Sequence, residues 1–109
     1  MQVPAVEVVV RVHNTSRPVR RAGASVLDYP QAGAVVVAHG VAPEKLDLPW
    51  SSRVRVVHEQ GGLGLPGFAS NAGFRACRAE YVGLLDSDDF YEPGALSTMH
   101  RRAMEDGAD

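Results

Sequence analysis

The sequence of 109 residues has few of the features that mark several protein classes. Its single cysteine, Cys77, cannot form an internal disulfide, and we expect it to be a small buried hydrophobic residue without a chemical role. Ten arginines and one lysine are spread along a chain of formal net charge −2, so no basic patch indicates nucleic-acid binding. No apolar run approaches the length of a membrane span.

The N-terminus also lacks the basic segment followed by an apolar segment that begins a secretory signal peptide. We therefore expect a cytoplasmic protein, with a peripheral place at the inner membrane face as the alternative for a full-length form. The composition, 45% hydrophobic and 22% charged, is that of an ordinary folded protein, and the length allows one domain over residues 1–109. Eight of the thirteen acidic residues lie at or after Glu80, which indicates cation binding in that part of the chain.

Strand and helix patterns alternate along the chain and predict an α/β fold. Apolar and β-branched runs predict strands over 6–12, 34–38, 53–57 and 81–85. The third strand is expected to be more exposed to solvent than the others, because Arg53 and Arg55 share one of its faces. Capping residues and helical spacing predict helices over 18–27, 68–79 and 92–104. The order β-α-β-β-α-β-α predicts a mostly parallel sheet with helices on both faces. The residues expected to face inward from the helices are Val19, Ala22, Val26, Ala69, Ala72, Ala76, Ala79, Leu96, Met99 and Ala103.

Three carboxylates, Asp86, Asp88 and Asp89, directly follow the apolar run 81–85. They are expected at the carboxyl end of a buried strand, where open α/β sheets bind ligands. Clustered carboxylates repel one another, and a Mg²⁺ or Mn²⁺ ion that bridges to phosphate oxygens would offset that repulsion. A surface turn rich in Asp and Ser is the structural alternative, and the position after a strand favours the functional interpretation.

Three segments together resemble the family 2 glycosyltransferases of the GT-A fold, in the order usual for that family. They are Val8-Val9-Val10-Arg11-Val12-His13-Asn14, Ala69-Ser70-Asn71-Ala72-Gly73 and Leu84-Leu85-Asp86-Ser87-Asp88-Asp89. The resemblance covers nearly the whole chain and implies a Rossmann-like domain that binds a nucleotide-diphosphate sugar. It also implies that this chain is the donor half of a truncated domain, without the acceptor half.

The resemblance further implies roles for individual residues. Val12, His13 and Asn14 would lie along the base and ribose, with Asn71 of the helix start and Ser87 as neighbours. Asp86 would contact the ribose, and Asp88 would take the metal with Asp86 beside it. The general base of an inverting transfer would lie downstream of Asp109, and the acceptor, a saccharide, a lipid or a small molecule, is unknown.

Several positions depart from the family pattern. The family usually has an Asp pair that contacts the base where this chain has Ala38-His39-Gly40-Val41. One interpretation is that His39 replaces the Asp and binds the base through a ring nitrogen. The other is that His39 is simply a solvated residue of a turn. Ser70 replaces an arginine usual before the helix asparagine, which removes a cation. Arg11 replaces a proline, and we expect it to restore positive charge nearby.

Three other functions remain open from the sequence. Gly62-Leu63-Gly64-Leu65-Pro66-Gly67 matches the dinucleotide-binding fingerprint of Rossmann oxidoreductases, although four residues separate it from the preceding strand. Asp-Xaa-Asp after a strand also occurs in haloacid-dehalogenase-like phosphohydrolases, where it lies on the first strand rather than the fourth. A non-catalytic nucleotide- or carbohydrate-binding remnant is the third. The uncovered sheet edge of a truncated domain also predicts self-association.

Overall fold

The computed structural model describes residues 3–14, 19–49 and 51–107. Within them the strands are β1 (Val6–Val12), β2 (Ala32–His39), β3 (Val54–Glu59) and β4 (Tyr81–Asp86), the α-helices are α1 (Val19–Leu27), α2 (Pro66–Ala76) and α3 (Ala95–Glu105), and a 3-10 turn spans Pro43–Lys45. The predicted order of elements is confirmed. Thr15, Ser16 and Pro18, expected to begin α1, lie outside the described residues.

The four strands form one sheet in the order β3-β2-β1-β4, and every pairing is parallel. The predicted parallel α/β fold is therefore confirmed. β1 pairs with β2 on one side and with β4 on the other, so that Arg11 lies opposite Asp86 at the carboxyl end. The chain changes direction across the sheet at β1, and such a switch point opens a crevice between the ends of the two strands.

Helices cover both faces of the sheet. α1 and α3 pack on one face, where Val8, Val10 and Val36 form the centre of the larger core. α2 packs on the other face against Val9 and Val37. The predicted inward positions Val19, Ala22, Val26, Ala69, Ala72 and Leu96 are buried.

The close packing of α2 depends on a glycine. A Cβ atom at Gly73 would lie 2.3 Å from Cγ1 of Val9 and 3.0 Å from Cγ2 of Val37, so a larger side chain would push α2 away from the sheet. The small-residue face predicted for this helix is confirmed at Ala69 and Ala72.

α2 ends earlier than the sequence predicts. Ala79 was expected on its inward face, but the helix stops at Ala76 and the chain turns towards β4. Glu7 stabilises the turn that follows, because its carboxylate accepts the N–H groups of Arg78 and Ala79 at 2.6 and 2.9 Å. Cys77, at the C-cap, is half-buried rather than fully buried, and burial raises the pKa of its thiol to about 11. Such a thiol stays protonated near neutral pH.

The inward face of α3 differs by one residue from the prediction. Met99 is 47% exposed, and His100 is buried in its place. The His100 ring packs edge-on against Tyr29 and Tyr81, and its Nδ1 lies 2.6 Å from the Tyr29 hydroxyl. These two aromatic residues turn α3 so that the side carrying Met99 faces solvent.

β3 is a partly exposed edge strand, as its arginines predict. Arg53 nevertheless lies just before the strand and is not a solvent-facing strand residue. Its guanidinium donates hydrogen bonds to four backbone carbonyls, those of Leu27, Tyr29, Pro30 and Ala32. Arg53 thereby closes the connection from α1 to β2.

β4 is the other edge strand, and its α2-side face is uncovered in the described part of the chain. Val82 and Leu84 on this face are 46% and 42% exposed. An edge strand with apolar side chains is a template for association. Among the described residues, the uncovered sheet edge that the sequence predicts therefore corresponds to β4.

We expect the 109-residue chain to self-associate through β4, and Leu84→Lys to shift it towards monomer because the lysine would have to be desolvated in the contact. Light scattering after size-exclusion chromatography would measure the mass. Val56, 41% exposed on the opposite edge strand, supplies the matched control Val56→Lys. Equal effects of the two lysines, or a monomeric parent chain, would contradict association through β4.

Candidate functional site

A cleft of about 350 Å³ lies at the carboxyl ends of β1, β2 and β4, beside the start of α2. It is lined by Arg11, Val12, His13, His39, Gly64, Leu65, Pro66, Ala69, Asp86, Ser87 and Asp88. This is the crevice that the strand order opens, because the ends of β1 and β4 are neighbours there.

Six of the eight residues predicted for the site line this cleft, namely Val12, His13, His39, Asp86, Ser87 and Asp88. Asn14 and Asn71 are exposed and are not among the lining residues. α2 instead turns Ser70, the residue before Asn71, into the structure, where it is buried. The segment 69–73, predicted as the helix start, lies in the middle of α2, which begins at Pro66. It lines the cleft through Ala69, and Ser70 accepts a hydrogen bond from Arg11 of the cleft wall.

The three acidic residues at the carboxyl end of β4 are grouped in space. Ligand oxygens of Asp86, Asp88 and Asp89 all lie within 4.8 Å of one another, and all three residues are exposed. A backbone hydrogen bond of 3.0 Å from the Asp89 N–H to the Asp86 carbonyl closes the turn that groups them, with Ser87 buried inside it. Exposed carboxylate oxygens at this spacing fit Mg²⁺ or Mn²⁺, hard cations that take a few protein oxygens and complete their shell with water or phosphate.

Arg11 is the site contact that sequence reasoning missed. Its Nε donates to Oδ1 of Asp86 at 3.1 Å, Nη2 contacts the same oxygen, and Nη1 donates to Oγ of Ser70 at 3.1 Å. The expected positive charge is therefore present, and it is paired with a carboxylate of the acidic cluster. The sequence did contain a signal for this contact, namely an arginine within a strand that holds five valines. In the structure every other residue of that strand is buried.

His39 is part of the cleft wall rather than of a solvated turn. It is the last residue of β2, is 6% exposed, and its Nε2 lies 2.7 Å from the carbonyl oxygen of Gly61. Because a carbonyl only accepts, Nε2 carries the proton, and the neutral ring then has Nδ1 as an acceptor. His39 thus ties the loop 60–65 across the end of β2.

The glycines of the loop 60–65 are required by the backbone conformation and packing of the loop itself. Gly62 and Gly64 have φ of +60° and +83°, and a Cβ at Gly62 would lie 2.2 Å from the ring of Phe68. In the dinucleotide-binding fingerprint the first glycine, here Gly62, serves the tight turn, and the second lets the backbone approach the pyrophosphate. The Phe68 ring packs against Gly62, so local packing accounts for this glycine without a ligand.

None of the described helices is both long and apolar enough to cross a membrane.

Comparison with known proteins gives consistent results. Residues 7–109 match the family described as Glycosyl transferase family 2. Among curated proteins, the chain is similar to EpsH of Bacillus subtilis (strain 168), named as a glycosyltransferase, with 31% identity over 94% of this chain and 31% of EpsH. It is also similar to the succinoglycan biosynthesis protein ExoO of Rhizobium meliloti (strain 1021), with 33% identity over 98% of this chain and 32% of ExoO.

Among solved structures, the fold is similar to that of S. aureus TarS residues 1–349. The TM-score is 0.72 at 19% identity, and the match covers 92% of this chain and 32% of the TarS chain. The chain therefore spans about a third of the length of the relatives it matches.

Proposed function

Because the chain belongs to glycosyl transferase family 2, we propose that its cleft binds a nucleotide-diphosphate sugar and that the whole protein transfers the sugar to an acceptor with inversion. The single observation that carries this proposal is the acidic cluster at the carboxyl end of β4, which lies beside the end of β1 at a cleft of about 350 Å³. Apolar walls with a few polar groups are typical of small-molecule sites.

In the proposed complex, Asp88 holds a Mg²⁺ or Mn²⁺ ion, with Asp86 beside it. The ion would supply electrostatic stabilisation of the diphosphate that departs as the sugar is transferred. The protein's part is to place carboxylate oxygens where the diphosphate enters, at the mouth of the crevice. Three exposed carboxylates without a cation would repel that diphosphate.

The base and ribose would lie along the end of β1. Val12 and His13 line the cleft there, with Asn14 following them and with Ser87 across from them. His39 offers Nδ1 as an acceptor for an N–H group of the base. In the family that this chain resembles, an aspartate usually accepts this hydrogen bond. Asn71 lies in the middle of α2 and does not line the cleft, so its predicted contact with the donor is not part of the proposed complex.

We propose that transfer itself needs a longer protein, because this chain spans about a third of the length of the relatives it matches. Inversion needs a carboxylate that takes the proton of the acceptor hydroxyl, and we propose that this group lies beyond Asp109, in an acceptor half. The acceptor is a saccharide, a lipid or a small molecule, and we propose a cytoplasmic site of action. The chain of 109 residues alone is then expected to bind donor without transferring sugar.

We expect uridine or guanosine diphosphate to bind in the presence of Mn²⁺ or Mg²⁺ and to bind little in a chelator, because the cation cancels the repulsion between phosphate and carboxylates. Isothermal titration calorimetry with each nucleotide, with and without the cation, measures this difference. NAD titrated in chelator is the control ligand. Tight metal-free binding of NAD would favour a dinucleotide-binding protein and would contradict the proposal.

A further inference from the structure

A second cavity, of about 330 Å³, lies at the amino ends of the strands, on the edge of the sheet opposite the cleft. The described residues that line it include three arginines, Arg53, Arg55 and Arg78, and one acidic residue, Glu7. We refer to it as the arginine pocket. Three guanidinium charges and one carboxylate charge give these residues a net charge of +2. Like charges held together repel one another, and an anion bound among them offsets that repulsion.

Two of the three arginines are held in place by the fold. Arg53 donates to four backbone carbonyls between α1 and β2. Arg55 donates from Nη2 to the Glu7 carboxylate at 2.6 Å and to the carbonyl of Ala76 at 2.7 Å. These bonds leave Nε and Nη1 of Arg55 as further donors. A guanidinium fixed in this way loses little freedom when it binds a ligand, so less of the binding energy is lost to ordering.

The Glu7 carboxylate does not compete with a ligand for acceptors of its own. Its Oε1 accepts the backbone N–H groups of Arg78 and Ala79, and its Oε2 accepts from Arg55. Arg78 is exposed, and it is the backbone N–H of this residue, not its guanidinium, that donates to Glu7. The pocket therefore presents the guanidinium groups of Arg55 and Arg78 to a ligand that accepts hydrogen bonds.

We propose that the arginine pocket binds the phosphate group of a phosphate monoester. One guanidinium pairs with both oxygens of a carboxylate, whereas two guanidiniums match an anion with more oxygens. A phosphate monoester has three terminal oxygens and a charge of about −1.5 to −2 near neutral pH, which balances the charge of the pocket. Val3 and Pro4 supply an apolar wall for the organic part of the ester. The pocket shares no residue with the cleft, so this ligand binds whether or not the cleft binds a nucleotide sugar.

The test is calorimetric titration of the chain with glycerol 3-phosphate in the presence of a chelator. The chelator removes divalent cations, so the acidic cluster repels the phosphate and the cleft contributes no binding. We expect Arg78→Met to weaken binding by about tenfold, the effect of losing a hydrogen bond to a charged group. Arg78→Lys keeps the charge without the planar fork, and we expect an intermediate loss. The exposed Arg78 side chain can be replaced without removing the cation that pairs with the buried Glu7.

Arg75→Met is the matched control. Arg75 lies in the last turn of α2, is exposed, and is not among the residues that line the pocket. Its replacement removes the same charge from the same part of the chain, and at physiological ionic strength we expect the affinity to stay within about twofold. Equal losses in the Arg75 and Arg78 variants would show attraction by total charge and would overturn the proposal.

Ser52→Asp is an independent variant that keeps all three arginines. Ser52 is exposed and lines the pocket, so an aspartate there adds a negative charge where the phosphate is expected. We expect binding of glycerol 3-phosphate to weaken by at least about tenfold, because the added carboxylate repels the phosphate and pairs with the arginines. Unchanged binding in this variant would place the phosphate elsewhere and would also overturn the proposal.

The phosphate monoester could be a soluble molecule or the headgroup of a lipid, and vesicles distinguish the two sources. Phosphatidic acid carries a phosphate monoester, so cosedimentation is measured with phosphatidylcholine vesicles that contain it and with vesicles that lack it. Sedimentation that requires both phosphatidic acid and Arg78 would support a lipid headgroup. Binding of glycerol 3-phosphate without such sedimentation would support a soluble ester. A chain that binds neither would overturn the proposal.

Discussion

Asp88→Asn is expected to weaken metal-dependent binding of a nucleotide diphosphate by more than about 100-fold, because loss of groups that only support a ligand already costs 10- to 100-fold in metal affinity. The amide oxygen remains, but it carries no charge to hold the cation at the cleft. Calorimetry at fixed Mn²⁺, with the nucleotide as titrant, measures the loss.

Asp89→Asn is the matched control for this experiment. Asp89 belongs to the same acidic cluster but does not line the cleft, so its neutralisation removes an equal charge from the rim. We expect a loss of less than about tenfold, as for a solvent-screened charge. Equal losses in the two variants would show that the cluster acts through its total charge and would contradict the separate role of Asp88.

The largest expected effect on stability comes from the opposite end of the sheet. The Glu7 carboxylate, 3% exposed, accepts a hydrogen bond from Arg55 Nη2 at 2.6 Å as well as those from the backbone of residues 78 and 79. The same Arg55 nitrogen donates to the carbonyl of Ala76 at 2.7 Å. Glu7 and Arg55 thus join β1, β3 and the end of α2.

We expect Arg55→Met to lower the free energy of unfolding by about 3 kcal/mol, because it leaves a buried carboxylate without its cation. Urea unfolding near neutral pH measures the change. Arg20→Met is the control, since the Arg20–Asp47 pair is exposed on both sides and its loss should cost less than about 1 kcal/mol. A loss from Arg55→Met as small as that from Arg20→Met would contradict the importance of the buried pair.

The same pair gives a pH dependence with a definite sign. Burial by itself raises the pKa of Glu7, but the hydrogen bonds from Arg55, Arg78 and Ala79 and the Arg55 charge outweigh it, so the pKa lies below its ordinary value of 4.5. Its contribution to stability is therefore complete above that value and is lost as the pH falls through the lowered pKa. Glu7→Gln should lack this part of the acid-dependent loss in urea unfolding.

The parallel sheet and its helices could be predicted because hydrophobic periodicity and strand order decide them. The valines of β1 and the small face of α2 show this, since their burial follows from local pattern alone. The end of α2 could not be predicted. The turn that follows it is stabilised by a carboxylate 71 residues away in sequence, and no local pattern records the contact between Glu7 and Arg78.

For the candidate site, too, some residues could be predicted from the sequence and others could not. Asp86, Ser87 and Asp88 could be placed because they lie at the carboxyl end of a strand, and the fold fixes where that end lies. Arg11 was expected only as a nearby charge, because its partners Asp86 and Ser70 lie 75 and 59 residues away. For Asn71, the helical phase decided the outcome. One step along α2 separates the buried Ser70 from the exposed Asn71, and sequence patterns seldom fix helix rotation to that accuracy.

The position of Glu7 has a consequence for how this domain can evolve. Glu7 lies near the amino end of β1 and the cleft lies at its carboxyl end, separated by roughly 15–20 Å of strand at about 3.3 Å per residue. Substitutions at distant sites with no shared partners add nearly independently. Mutations around His13 and His39, where we propose that the nucleotide binds, would therefore have little effect on the stability that the buried Glu7–Arg55 pair contributes. Binding specificity in this proposed site could then change while the fold stays the same.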